Sequence, residues 1–202
     1  MRDGGVIVKD VVEPFYRGAR VAFRALSAAD APLYFEWLKM GLLSEYRPAL
    51  SRLCANVVEV ADFIGRRSEV HEFQEFEALA LDQISGEPFG LVSVSAIDRF
   101  NAKAEFSAVF VSHRCTPMAG EALLAAVRLT FDHLSLHKLV FHTFDDNDDA
   151  LRVLRRREFV AEGRLVEELQ RGDGGRRDLL RFALLRRHYE ASLLVKRLIG
   201  SR

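Results

Sequence analysis

The sequence has two cysteines, Cys54 and Cys115, and they do not stand at metal-ligand spacing. This excludes a disulfide framework and a cysteine-rich zinc module, and two free thiols suit a reducing, cytoplasmic compartment. Glycine (13) and proline (5) are sparse among 202 residues, so low-complexity and collagen-like classes also fall. No run of about 18 apolar residues occurs, which leaves no candidate membrane-spanning helix. Met1 to Gly5 opens with charge but no apolar stretch follows, so a secretory signal is not expected. Net charge is missing as well, with 29 basic and 29 acidic side chains. A dedicated nucleic-acid binder would show a basic excess, so neither nucleic acid nor a membrane is an expected partner. The acidic excess lies in the first hundred residues and the basic excess in the rest, which favours the C-terminal half for an anionic small molecule. No repeat recurs at a fixed period.

What remains is a chain with 49% hydrophobic and 29% charged residues, enough to bury one sizeable core. Residues 1–19 lack a sustained period and read as an extended lead-in. Arg20–Arg24 alternates as a half-buried strand. Ser27 then stands three residues before Asp30, as an N-cap before a helix carrying Leu33, Phe35, Trp37 and Leu38 to about Met40. Tyr34, Phe35 and Trp37 read as core rather than as a substrate platform. A second helix is predicted over Ser51–Arg66. Phe76–Leu81, Phe89–Ile97 and Glu105–Val111 are short runs split by turn residues, the signature of an antiparallel meander. Helical spacing returns over Gly120–Leu134, followed by a strand Leu139–Thr143, a short helix Asp148–Arg157 and strands Phe159–Gln170 and Arg177–Leu185. This order predicts an α+β fold, a mixed and mainly antiparallel sheet flanked by helices. Arg186–Leu198 reads as an amphipathic helix that packs onto the domain or onto a twin subunit, as in a homodimer.

Two segments carry chemistry. In Val109–Ala122 a strand ends, the loop Ser112–Met118 follows, and a helix opens at Ala119–Glu121. A strand feeding a helix N-terminus offers unpaired N–H groups and the positive end of a dipole, which suits a pyrophosphate; an ordinary strand–helix connection is the alternative. In Phe141–Phe159 a strand, loop, helix and strand follow one another, with four aspartates flanking Asn147 and Arg155–Arg157 closing the helix. Those charges complement the helix dipole; contact with a phosphate is a secondary role for the arginines. His133 and His137 are four apart with no third ligand near, so no metal site is predicted.

Asn147, then Ala150 three residues on and Phe159 twelve residues on, resembles the pattern of the GNAT superfamily of N-acetyltransferases. Glu158 stands where that pattern usually has Gly. Phe159–Glu167 and Gly174–Asp178 look like the last hairpin of the ribosomal-protein N-terminal acetyltransferase branch, and Arg20–Asp30 through Glu36–Leu38 has that branch's cadence. Glu105–Ser107 and Phe144–Asn147 look like the acetyltransferases of nucleotide-linked aminosugars. The resemblance spans residues 20–186, with 1–19 as lead-in and 187–202 as a C-terminal helix.

The resemblance implies acetyl-CoA as co-substrate and a primary amine as acceptor, on a protein N-terminus, an aminosugar or a small metabolite. It implies that Val109, Phe110, Val111, Arg114, Cys115, Thr116, Met118, Ala119, Gly120, Asn147 and Ala150 hold the co-substrate. Glu105 is the implied base, a strand-edge salt bridge being its alternative role, and His113 is a proton relay or a solvent-facing loop residue. Asn147 contacts the pantetheine arm or a water, or caps its helix. The chain departs from the family at Pro117, where the acyl-CoA loop usually has Gly and where one N–H is lost, and at Leu154, where many members carry an acidic Tyr. A domain of this fold that binds acyl-CoA or a partner without catalysis is the alternative reading.

Overall fold

The structure, a computed structural model, describes residues 12–41, 43, 53–70, 75–156, 158–170 and 174–192, excepting the side chains of 67–70. Its strands are β1 (Tyr16–Arg17), β2 (Val21–Ala25), β3 (Phe76–Asp82), β4 (Pro88–Asp98), β5 (Lys103–Phe110), β6 (Lys138–Thr143), β7 (Phe159–Gln170) and β8 (Arg176–Leu185). They form one sheet in the order β1-β2-β3-β4-β5-β6-β8-β7. Every neighbouring pair is antiparallel except β5 and β6. A 3-10 turn (Ala28–Asp30) leads into α1 (Ala31–Lys39); then come α2 (Val57–Val70), α3 (Pro117–Leu134), α4 (Asp148–Leu154) and α5 (Arg186–Ala191). The β5–α3–β6 crossover explains the one parallel pairing, since parallel neighbours need a connection long enough to return to the same sheet end.

The sheet has an apolar layer on each face. Alanines along α3 (Ala122, Ala125, Ala126) bring that helix close to the sheet, where it packs with Phe131 over Phe23, Phe106 and Phe141. On the other face α1 and α2 lay Tyr34, Trp37, Leu38 and Ile64 over Leu79, Leu81 and Leu91. The predicted α+β architecture and the assignment of Tyr34 and Trp37 to the core agree with this arrangement.

Several boundaries differ from the sequence reading. Tyr16–Arg17 of the lead-in pairs with Ala22–Phe23, so its end is tied to the sheet. The first long strand is Val21–Ala25, because Arg20 turns its backbone N–H to Glu121 instead of to the ladder. The second helix starts at Val57; Asn56 accepts from Glu59 N–H at 3.0 Å and Glu59 reaches back to Ala55 N–H, a box of reciprocal bonds that fixes the start. Its predicted start at Ser51 lies outside the described residues. β5 runs from Lys103 to Phe110 rather than Glu105 to Val111. Helix α4 stops at Leu154: Arg155 N–H makes a last helical bond to Leu151 carbonyl, and Arg156 N–H takes a tighter turn-type bond to Val153 carbonyl. Helix α3 ends at Ser135, which takes a left-handed conformation between His133 and His137. The predicted tail helix is described only as Arg186–Ala191.

Candidate active site

Strands β5 and β6 pair only over Lys103–Glu105 and Lys138–Val140. Beyond that point β5 continues to Phe110 and β6 to Thr143 without pairing, so the two strands part and leave a wedge-shaped gap in the sheet. The register shows which backbone groups line it. Val111 N–H bonds Phe89 carbonyl at 2.9 Å, so by the alternation of an antiparallel ladder Val109 also turns its amide to β4. Ala108 and Phe110 therefore present their amides to the gap. Among the three strand-end residues expected to hold a co-substrate, Phe110 offers backbone to the gap, whereas Val109 and Val111 spend theirs on β4.

At the wide end of the gap the chain enters α3 three residues earlier than the sequence reading placed it. Thr116 is the N-cap, with extended backbone and Oγ1 accepting from Ala119 N–H at 3.4 Å, and Pro117 takes the first helical position, where a missing N–H disrupts no helical bond. This changes the donor set. Thr116 N–H goes to His113 carbonyl and Gly120 N–H to Thr116 carbonyl, so of the N–H groups of Cys115, Thr116, Met118, Ala119 and Gly120, those of Thr116, Ala119 and Gly120 are satisfied within the loop. The N–H groups of Cys115 and Met118 have no protein acceptor among the described residues. His113 and Cys115 both have left-handed φ, 58° and 56°, which curls the loop around those donors.

The loop's side chains are also placed. Arg114 Nε folds back to Phe110 carbonyl at 2.9 Å, and Arg152 from α4 brings Nη1 to 3.7 Å from Cys115 Sγ. The hydrogen bond to Asp149 pushes the Cys115 thiol up, so it stays a thiol and ties the loop to α4 instead of acting as a nucleophile. The His113 ring stands edge-on to Phe89 at 5.7 Å on an exposed loop. Glu121 binds Arg20, through backbone N–H at 2.8 Å and guanidinium at 3.2 Å, and so docks the β1–β2 hairpin on α3.

Glu105 sits at the narrow end, at the last parallel pair. With Ser107 and Val109 it occupies the face of β5 turned toward α1 and α2, but its side chain is 47% exposed. On that face Ser107 shares a 2.7 Å hydroxyl contact with Ser93. Across the gap stands His142 of β6, with Nδ1 3.9 Å from Glu105 Oε2, a residue the sequence reading did not single out. Burial lowers the His142 imidazole, and Arg181 opposite it adds to this; Glu105, Glu168 and Glu162 pull the other way and do not outweigh burial.

Asn147 caps α4, its Oδ1 accepting from Ala150 N–H at 3.1 Å, so one of its expected roles is present. Leu154 is packed in the core with Phe159 and supplies no proton donor. The loop before Asn147 is clamped to the last hairpin. Arg177 lies over the Phe144 ring at 3.7 Å and pairs with Asp146, while Arg164 bridges Asp145 and Asp178. Glu158 borders an apolar cavity of about 370 Å³ between α3, α4 and α5, together with Gly120, Val153 and Tyr189. Among the described residues no group of three His, Cys, Asp or Glu side chains is placed to hold a metal, and no helix is long and apolar enough to cross a membrane.

Comparison with known proteins joins this geometry to a family. Residues 20–160 match the model of the acetyltransferase (GNAT) domain. Among solved structures, a chimera of the Vibrio cholerae spermidine N-acetyltransferase SpeG and hSSAT superposes with a TM-score of 0.70 at 22% identity, covering 86% of this chain and 100% of that one. The spermidine/spermine N-acetyltransferase SpeG from Vibrio cholerae, in complex with manganese ions, gives 0.67 at 22% identity over 86% and 96% of the two chains. A structure described as a probable acetyltransferase gives 0.69 at 20% identity over 84% and 95%. A search of curated proteins finds no match. At these identities the structures establish the shared fold, while the domain match covers well over half of the chain. The chain belongs to the GNAT acetyltransferase family and is an enzyme of that type.

Proposed function

We propose that the protein transfers the acetyl group of acetyl-CoA to a primary amine in the gap between β5 and β6. The observation that carries this is the end of pairing at Glu105 and Val140, which opens backbone on β5 between a helix N-terminus and a carboxylate. Acetyl-CoA, when bound, supplies the acyl group as a thioester. Ala108 and Phe110 offer backbone groups to its arm, and Cys115 and Met118 N–H with the Arg152 guanidinium face its pyrophosphate. These groups fit an extended, anionic ligand, with the donors concentrated at one end.

The acceptor meets the other face. Glu105 attracts an ammonium group and takes its proton, breaking N–H and forming O–H, and the freed nitrogen lone pair attacks the thioester carbonyl. C–N forms as C–S breaks, and the departing thiolate takes the second proton that the attacking nitrogen sheds, leaving an amide and CoA thiol. Its half-exposed setting lets the proton pass on to solvent. Glu162 and Glu168 lie within electrostatic reach of the same site, and of these Glu162 is paired with Lys138 and Arg181. That leaves Glu105 and Glu168 to suit a cationic amine, which fits the spermidine substrates named for the solved relatives. An aminosugar or a protein N-terminus, the acceptors of the branches the sequence resembles, presents the same ammonium. Cys115 is exposed and unpaired, in keeping with a reducing cytoplasm.

The test is release of CoA thiol on incubation with acetyl-CoA and, separately, spermidine, an aminosugar nucleotide and a peptide with a free N-terminus. Acetylation of one of them is expected, and Glu105→Gln should reduce its kcat by roughly 10²-fold. A second reading, binding without catalysis, is favoured by Leu154, which is packed in the core and supplies no proton donor for the departing thiolate. Calorimetric binding of acetyl-CoA with no thiol release from any amine would establish it.

A further inference from the structure

We infer that His142 is a positioning residue for Glu105, a neutral N–H donor that orients the carboxylate without discharging it. This rests on the acetyl-transfer reading for its purpose, though not for its geometry. His142 lies two residues past the last parallel pair, on the wall of the gap opposite Glu105. Its neighbour Phe141 points into the core under α3, so alternation turns His142 to the face shared by Glu105 and Ser107. The ring's two nitrogens differ sharply. Nδ1 faces Glu105 Oε2 at 3.9 Å, beyond hydrogen-bond length, so the bond requires the half-exposed Glu105 side chain to turn toward the ring. Nε2 is enclosed by protein and has no hydrogen-bond partner among the described residues.

That asymmetry selects the tautomer. A proton on Nε2 would be a buried donor with nothing to bond, a more costly state than a buried lone pair, so the neutral ring carries its proton on Nδ1, toward Glu105. Adding a second proton would place a charge on the enclosed nitrogen. Burial and the facing Arg181 of β8 oppose it, while Glu105 of β5 and Glu162 and Glu168 of β7 favour it. The folded ring therefore stays neutral to below its ordinary value of 6.5. A lysine or arginine at this place would form a permanent ion pair and drain the basicity of Glu105. Neutral histidine fixes its orientation and leaves its charge for the substrate ammonium. Below the His142 transition the ring becomes a cation, pairs with Glu105 and withdraws the base.

Two measurements test this. The first is an NMR titration of the His142 ring in the protein without acetyl-CoA or amine. Wild type should titrate below 6.5, and Glu105→Gln should move the transition lower still, because the carboxylate that favours the cation is gone. An unmoved transition overturns the pairing. The second is the pH profile of kcat/KM for the amine. His142→Gln keeps an N–H donor that does not titrate, so it should stay within about threefold of wild type at pH 7.5 and lose the part of the acid limb that His142 sets, leaving only the part set by protonation of the base itself. His142→Leu removes the donor and should lose roughly tenfold, the scale of one hydrogen bond to a charged group. An acid limb unchanged in His142→Gln overturns the inference. If no amine is acetylated while the NMR coupling is present, the pairing stands and the acetyl-transfer reading falls.

Discussion

Asp30 joins the turn after β2 to the start of α1. Its two oxygens take hydrogen bonds from Arg24 at 2.6 and 2.7 Å, and one of them also accepts from Ser27 N–H at 2.9 Å and from the Ser27 hydroxyl at 3.0 Å. Burial raises this carboxyl, but the bonds from Arg24 and Ser27 outweigh it and hold Asp30 below its ordinary value of 3.8. A carboxyl depressed on folding contributes stability above its unfolded value, and that contribution is lost as pH falls through the folded value. Asp30→Asn leaves Arg24 charged, mostly buried and short of its partner, so a loss of about 3 kcal/mol is expected at pH 7. The gap to wild type should shrink as the pH drops below 3.8. Urea unfolding at pH 7 and pH 3 measures both, and a gap equal at the two values would remove Asp30 from the acid response. At the same scale, Asn147→Ala deletes a helix cap and should lower stability by about 1 kcal/mol. A fall in acetyl-transfer rate far beyond that stability loss would show that Asn147 also serves the reaction.

At the scale of the element, the start of α3 decides how much backbone is left to bind an anion. Thr116 and Pro117 are ordinary N-cap and first-turn signals and were legible in the sequence. The apolar period nevertheless becomes evident only from about Gly120, because the first turn, Pro117–Ala119, adds no large residue to the apolar stripe. The left-handed backbone of His113 and Cys115 was not legible, since histidine only tolerates it better than most residues, cysteine does not favour it, and the closure of the loop imposes it on both. Helix periods and the meander, by contrast, were plain, because both rest on local alternation of apolar side chains. Pro117→Ala restores one N–H at the first helical position beside those of Cys115 and Met118. If donor number limits binding, acetyl-CoA affinity measured by calorimetry should rise by roughly tenfold at most, the scale of one charge-assisted hydrogen bond. A fall would mean that the fixed φ of proline, which holds the loop in shape, outweighs the donor it lacks.

At the scale of the whole molecule, the proposed site is a consequence of where β5 and β6 cease to pair. That failure is tertiary, and it explains why Glu105 could be singled out from a resemblance while His142 could not. Leu139–Thr143 shows an apolar strand with a histidine in it, but only the parallel register of β6 on β5 puts that histidine opposite Glu105. The other wall depends on β7 and β8, which reach the loop before Asn147 through Arg177 and Arg164. Arg177 does most of this, because its side chain is only 18% exposed and its guanidinium is stacked on buried Phe144, whereas its partner Asp146 is 72% exposed. Arg177→Ala removes the stacking and the ion pair together, and a loss of about 1–2 kcal/mol is expected. The consequence should be regional. Amides of residues 144–150 should exchange faster with solvent, while those of β2, β3 and β4, held by their own ladders, keep wild-type protection. Raising the salt concentration should weaken the exposed pair to Asp146 but leave the stacking, so wild type at high salt should lie between wild type and Arg177→Ala at low salt. Exchange in 144–150 that matches wild type would show that α4 and its cap hold the loop alone, and that the last hairpin contributes nothing to this wall of the site.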